Sequence, residues 1–288
     1  MFSSVEHFPL RTKTTMRIGG TARYFAELKT KEDVEQAVAF AQEKNIPLLP
    51  LGSGSNTIFC DDEVNALVIQ VKHNAATWDG DLVTIGAGKN LAMCVNDFAP
   101  LGRDLSALTG IPGTVGGAIF GNAGQGPKGV WIDSFVQSVT AYIDGAWKTF
   151  SKDECDFSYR ESIFKKGGRA LLWEVTLEIP KGDPATIKTT IESLLQKRIE
   201  TQPHLKTAGS CFKAVGGTPA WQLIDEVKLR GHQVGGVQIA EKHANFLQNT
   251  GDATYADACA VVEKAKKEIP EQLEVEMRFI EKDGSLRY

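Results

Sequence analysis

Apolar positions recur along this chain with two periods, and each change of period marks a new element. YFAEL (24–28) reads as a strand, and Val34, Ala37, Val38 and Ala41 then share one helical face. The spacing predicts a helix over 31–44, with Thr30 as cap and Asp33 at the capping-box distance. PLLPL (47–51) is short, apolar and followed at once by GSGSN. ALVIQV (66–71) and LVTIGAG (82–88) predict a second pair of strands, and 89–99 a helix. FVQSVTAYI and AWKTF flank Asp144-Gly145, a hairpin signal, and ALLWEVTLEI (170–179) reads as a further strand. Asp183 as N-cap and Pro184 in the first turn open a helix to about Ile199. ETQPHLKTAGS (200–210) reads as a domain junction. Beyond it, a helix runs from Thr218-Pro219 to about Val227, with short strands in VGGVQIA and ANFLQN and a helix over about 253–267. LEVEMRFI (273–280) closes the pattern as a strand, with Leu273, Val275, Met277 and Phe279 on one face and Glu274, Glu276 and Arg278 on the other. The fold class is α+β, mixed sheets with helices packed on them.

Composition narrows the function. Net charge is −4 over 288 residues, with Lys and Arg scattered, which argues against a nucleic-acid surface. No apolar run approaches the ~20 residues of a membrane helix. The start, MFSSVEHFPL, lacks the basic and apolar features of a signal peptide, and a cytoplasmic protein is expected. The cysteines at 60, 94, 155, 211 and 259 form no C-x-x-C, so neither a disulfide framework nor a zinc knuckle is expected. The histidines show no ligand spacing, and no catalytic metal is expected.

Two glycine loops carry the candidate chemistry. In LGSGSNTIF (51–59), Gly52, Ser53, Gly54, Ser55 and Asn56 follow a short apolar strand. Consecutive amides there can form an anion nest, although the same residues also suit a flexible turn. A Walker lysine is missing, and the pattern is not G-x-G-x-x-G opening a helix. GIPGTVGGAIFGNAG (110–124) holds six glycines, too dense for a regular helix or strand. A large planar ligand lying along this path accounts for the missing side chains, and so does a tightly packed set of turns. The two loops together favour a dinucleotide.

RIGGTARYF (17–25), LGSGSNTIF, GIPGTVGGAIFGNAG, FSYRESIFK (157–165), AGSCFK (208–213), LIDEVKLRGHQVGGVQIAEKHANFLQN (223–249) and LEVEMRFI occur in that order. Together they resemble the UDP-N-acetylenolpyruvoylglucosamine reductase (MurB) family over nearly the whole chain. The compact stretch between Ser210 and the last strand resembles its shorter, type II form. The resemblance implies an FAD-binding domain of the vanillyl-alcohol-oxidase (PCMH) type in two α+β subdomains, 1–70 and 71–199, and a C-terminal substrate domain, 200–288. It implies NADPH as co-substrate and reduction of the enolpyruvyl group of a UDP-amino sugar in peptidoglycan precursor synthesis. Leu51, Gly52, Ser53, Gly54, Ser55, Asn56 and Thr57 then hold the pyrophosphate. Ile111, Pro112, Gly113, Thr114, Gly116, Gly117, Ala118, Asn122 and Gly124 run along the flavin. Neither loop carries a histidine, and Cys60 is the nearest cysteine, so non-covalent FAD is expected. The partner is a small UDP-sugar, with no nucleic acid or membrane, and the protein is expected to act as a monomer.

The same resemblance gives roles. Arg160 suits a carboxylate clamp that also favours enolate-like charge. Ser210 suits the proton donor, because a developing carbanion is basic enough for a hydroxyl. Glu276 occupies the catalytic glutamate position, where it assists protonation or helps polarise the substrate carboxylate. Tyr159 and Lys213 are expected at the substrate. Two positions depart from many relatives: Ala214 in place of Asn, and Thr201 in place of Lys. Lys206, Lys213 and Lys242 are the candidates to replace them at the diphosphate. Another small molecule reduced or oxidised on the same fold, and a non-catalytic flavin-binding relative, are the alternative readings.

Overall fold

The computed structural model describes residues 2–125, 129–167, 170–204 and 206–288. In chain order the first strands are β1 (Val5–Pro9), β2 (Thr21–Leu28), β3 (Leu48–Pro50), β4 (Thr57–Phe59), β5 (Val64–Val71), β6 (Ala76–Asp79) and β7 (Leu82–Gly86). The hairpin strands β8 (Val136–Ile143) and β9 (Ala146–Ser151) follow, then β10 (Leu171–Glu178) and β11 (Thr207–Ser210). The last strands are β12 (Gln233–Val234), β13 (Val237–Ile239), β14 (Phe246–Asn249) and β15 (Arg278–Ile280). The helices are α1 (Lys31–Glu43), α2 (Leu91–Phe98), α3 (Val115–Phe120), α4 (Ile163–Gly167), α5 (Pro184–Thr201), α6 (Ala220–Glu226) and α7 (Tyr255–Glu268).

The chain divides into two compact units. Unit 1 comprises Met1–Ser4, Ala26–Gly52 and Ile69–Lys197, and unit 2 comprises Val5–Phe25, Ser53–Val68 and Arg198–Tyr288. In unit 1 the antiparallel sheet β6-β7-β10-β8-β9 is the scaffold. Its inward residues Val83, Ile85, Val139 and Val175 join Leu91, Val95 and Phe98 of α2 and Val115 and Ile119 of α3 in one core. The turn at Asp144-Gly145 places both residues at positive φ (49° and 82°), the primed geometry that matches the twist of a hairpin. Helix α1 starts at a capping box, with Thr30 and Asp33 each accepting from the other's main chain. Asp183 caps α5 by accepting the Thr186 amide at 2.8 Å. In unit 2 the sheet β11-β14-β13-β12 carries α7 on β12 and β13, and a parallel pair β15-β4 joins the last strand to an early one.

Three sequence expectations give way here. β5 and β7 form no pair: β5 lies between β2 and β3, and β7 between β6 and β10. β5 is buried along nearly its whole length, as an interior strand is, and its apolar run carries no hairpin information. LEVEMRFI is a regular strand only over Arg278–Ile280. Glu276 and Met277 both direct their N–H groups to the Cys211 carbonyl, at 2.7 and 3.5 Å, which breaks the ladder there. The glycine-rich stretch does contain a helix, α3. Thr114 caps it by accepting the Gly117 amide, and Val115, Ala118 and Ile119 are buried beneath it. Burying Val and Ile contributes about 1.5–3 kcal/mol each, which offsets the roughly 1 kcal/mol that each helical glycine costs.

Candidate active site

In unit 2 the main chain after β11 is held on both edges. On one edge, Cys211 accepts from the Glu276 amide at 2.7 Å, and the Lys213 amide donates to Glu274 at 2.9 Å. Phe212 and Val275 thereby form an antiparallel bridge. The segment carrying Ser210 is thus in fixed register with the one carrying Glu276. The buried Cys211 thiol is pushed far up by desolvation and then by the Glu276 charge. Lys213 is buried and pairs with Glu274 at 2.5 Å. Lys242 donates to the Ile199 carbonyl at 3.1 Å, and Lys206 and Thr201 are exposed.

The Ser53–Thr57 loop belongs to the same unit. Gly54 has φ +65°, and a Cβ there would lie 2.1 Å from the Lys13 carbonyl oxygen, so only glycine fits. Thr15 donates its amide to the Gly54 carbonyl at 3.1 Å. The Asn56 carboxamide faces β11, donating to Ala208 O at 2.9 Å and Ser210 O at 3.4 Å. That donor is engaged by protein.

In unit 1 a Cβ on Gly52 would come within 2.9 Å of Thr114 Oγ1. The glycines of 110–124 fall into three kinds. Gly110 and Gly113 sit at positive φ, 72° and 121°. Gly116 and Gly124 are closed by protein, since a Cβ would stand 2.9 Å from Ala87 Cβ and 2.0 Å from Trp131 Cδ1. At Gly117 and Gly121 a Cβ would meet only ordinary contacts, Thr114 Oγ1 at 3.5 Å and Gly117 O at 3.8 Å. Protein packing therefore accounts for part of the bareness that the sequence attributes to a ligand.

Arg160 is also in unit 1, in a turn closed by reciprocal amide bonds of Ser158 and Glu161 at 3.1 Å. Its guanidinium donates to Gly124 O at 2.9 Å and Asn122 O at 3.4 Å. Asn122 is fully buried, donating to Ser158 O at 3.0 Å and accepting the Asp133 amide at 3.3 Å. The glycine path and the arginine turn are one hydrogen-bonded body. Tyr159 packs on Trp131, ring centroids 5.8 Å apart, and beneath the Arg160 guanidinium.

Residues 202–279 match the model for the C-terminal domain of UDP-N-acetylenolpyruvoylglucosamine reductase, and residues 22–145 match an FAD-binding domain model. The reductase of Lachnoclostridium phytofermentans is 35% identical over 94% of this chain and 91% of that protein. The Chlamydia muridarum reductase is 35% identical over 97% and 95%. This chain belongs to the UDP-N-acetylenolpyruvoylglucosamine reductase family. The crystal structure of the Thermus caldophilus reductase (MurB) matches with a TM-score of 0.83 and 30% identity, covering 97% of this chain and 98% of that one. As a MurB-family chain it is an FAD-dependent oxidoreductase of α+β fold.

The residues present fit that cofactor. The Thr109 hydroxyl, at the head of the glycine path, is buried and makes no hydrogen bond among the described residues. Leaving it so costs about 1–3 kcal/mol, which a polar ligand atom removes. Ala87, Val115, Gly116, Ile119, Leu172 and Glu174 line a shallow, largely apolar depression beside α3. Exposed Pro112 and Gly117 and half-buried Ile111 add an open apolar surface. No cluster of three or more His, Cys, Asp or Glu able to hold a metal occurs among the described residues. None of their helices is long and apolar enough to cross a membrane.

Sequence reasoning passed over Thr109, Ala87, Lys165, Asn245 and Glu174. Only Asn245 had a local signal: it is a polar residue between the apolar Ala244 and Phe246, and it is buried.

Proposed function

We propose that this protein reduces the enolpyruvyl group of UDP-N-acetylenolpyruvoylglucosamine to the lactyl ether of UDP-N-acetylmuramate, with NADPH as reductant, in peptidoglycan precursor synthesis. Bound FAD supplies the hydride relay from NADPH to the alkene. The chain's own groups handle the substrate's charge and its proton. Arg160 holds the carboxylate and favours the negative charge that spreads into it as hydride arrives. Ser210 gives its hydroxyl proton to the adjacent carbon, and Glu276 assists that transfer. Lys213 and Tyr159 contact the substrate, and Lys206 or Lys242 serves the diphosphate where Thr201 and Ala214 do not. The loop at 51–57 takes the pyrophosphate and the path at 111–124 the flavin. Residues 1–70 and 71–199 act as the two parts of the cofactor domain, of vanillyl-alcohol-oxidase type, and 200–288 as the substrate domain. The protein works in the cytoplasm as a monomer.

The observation that carries this reading is the register of Ser210 against Glu276, set by the 2.7 Å bond from the Glu276 amide to the Cys211 carbonyl. An anaerobic two-stage titration tests it. NADPH is expected to bleach the flavin absorbance, and the enolpyruvyl UDP-sugar to restore it. Ser210→Ala should keep the first stage and slow the second by about 100-fold or more, the range for a lost general acid. Equal second-stage rates in both proteins would remove Ser210 from the chemistry.

A further inference from the structure

Asn245 stands at the junction of β14 and the segment that follows Ser210. Its carboxamide is engaged at both ends by one residue: Oδ1 accepts the Phe212 amide at 2.9 Å, and Nδ2 donates to the Phe212 carbonyl at 2.8 Å. Its own carbonyl accepts the Cys211 amide at 2.7 Å. A side chain here does what a neighbouring strand does elsewhere. β11 pairs with β14 only as far as Ser210 and Phe246. One residue on, the Asn245 carboxamide continues the pairing in place of a peptide group. The opposite edge of the same segment bonds to Glu276 and Glu274. Cys211–Lys213 is therefore held from both sides, and at Phe212 one of those sides is a side chain.

We propose that Asn245 is a positioning residue for protonation of the substrate: it fixes the main chain that carries Ser210 in its register with Glu276. This rests on the reading that Ser210 is the proton donor. Asn245 acts through Phe212 and Cys211 and touches neither Ser210 Oγ nor Glu276 by any bond described above. Without the carboxamide, two buried polar atoms of Phe212 lose their partners. The segment is then free to shift, and a displacement of about 1 Å in a catalytic group lowers a rate by ~100-fold.

The test compares Asn245→Leu, Ser210→Ala and the double variant in the two anaerobic stages. Asn245→Leu is expected to leave flavin bleaching by NADPH within about 2-fold and to slow recovery with the enolpyruvyl UDP-sugar by ~100-fold. The double variant should be no slower than Ser210→Ala, because groups acting as one unit are not additive. Slowing that multiplies in the double variant, or unimpaired recovery in Asn245→Leu, overturns the proposal. If Ser210→Ala itself recovers normally, the proton-donor reading falls, a different outcome from the Asn245 result. Should Asn245→Leu fail to hold flavin, Asn245→Asp keeps the Oδ1 acceptor and removes the donor. Recovery in that variant should still slow at least 10-fold, because the Phe212 carbonyl loses its donor and faces a carboxylate oxygen, and recovery at the parent rate counts against the proposal.

Discussion

Lys165 donates its ammonium to the main-chain carbonyl of Arg160 at 2.8 Å and pairs with Glu161 at 3.0 Å. This braces a residue whose own backbone is strained. Arg160 has φ +60°, a left-handed conformation that costs a residue with a Cβ about 1–2 kcal/mol. Arg160→Ala and Arg160→Gly both remove the guanidinium and differ chiefly in that strain. The glycine variant is expected to be the more stable by about 1 kcal/mol in chemical denaturation, the reverse of the usual order. Both should lose reduction of the enolpyruvyl substrate. An alanine variant as stable as the glycine variant would show that no strain is stored at 160.

The three kinds of glycine on the 110–124 path separate packing from ligand binding. Gly116→Ala brings a Cβ to 2.9 Å from Ala87 Cβ, and overpacking of this kind costs about 1–3 kcal/mol. Gly117→Ala meets only Thr114 Oγ1 at 3.5 Å, and alanine favours a helix by about 1 kcal/mol. In the flavin-free protein, melting should fall for the first variant and hold or rise for the second. FAD titration should show the Gly117→Ala protein binding at least 10-fold more weakly. Unchanged FAD affinity there would mean that the open face of α3 is not where the cofactor lies.

His243 makes stability depend on pH. Desolvation, then the Arg230 guanidinium, holds its imidazole below the ordinary histidine pKa. The Asn245 amide donates to its Nδ1 at 3.3 Å, which requires that nitrogen to be unprotonated. A depressed folded pKa means that the unfolded chain takes up the proton first. The stabilisation is complete above the unfolded value of about 6.5 and is lost as pH falls through the folded one. Between pH 7.5 and 5.5 the melting temperature should drop further for the parent than for His243→Gln. Parallel curves for the two proteins would exclude His243 as the titrating group.

All five cysteines are free and buried. Burial raises the Cys60 thiol to about 11 and those of Cys94 and Cys155 to about 12. Since the thiolate is the reactive form, the native protein at pH 7.5 should resist a maleimide over minutes and take up five equivalents once denatured. Rapid labelling of a native cysteine, read by intact mass, would contradict that burial.

What the sequence made legible was local. Thr30 with Asp33, Asp144-Gly145 and Asp183-Pro184 each fix a boundary through neighbours within three residues, and each element starts or turns there. The glycine path was legible as a place of special backbone but not as a helix, because the apolar contacts that outweigh the glycines come from β7 and β10. The sheet partners of β5 and β7 were hidden for the same reason, since both are set by distant strands. In the site, Ser210 and Glu276 came from family motifs. The bond that ties their segments, and the Asn245 carboxamide that steadies one of them, join stretches 30 or more residues apart. No window of the sequence contains such a relationship.

The parallel pairing of β15 with β4 sets Arg278 beside Thr57, 221 residues later in the chain. At bacterial translation speeds of about 5–20 residues per second, roughly 10–40 s separate synthesis of the two strands. Until the second emerges from the ribosome, the stretch next to the Ser53–Thr57 loop has an open edge that a neighbouring nascent chain can occupy. A ribosome stalled before residue 278 therefore leaves a product in which β4 lacks its parallel partner.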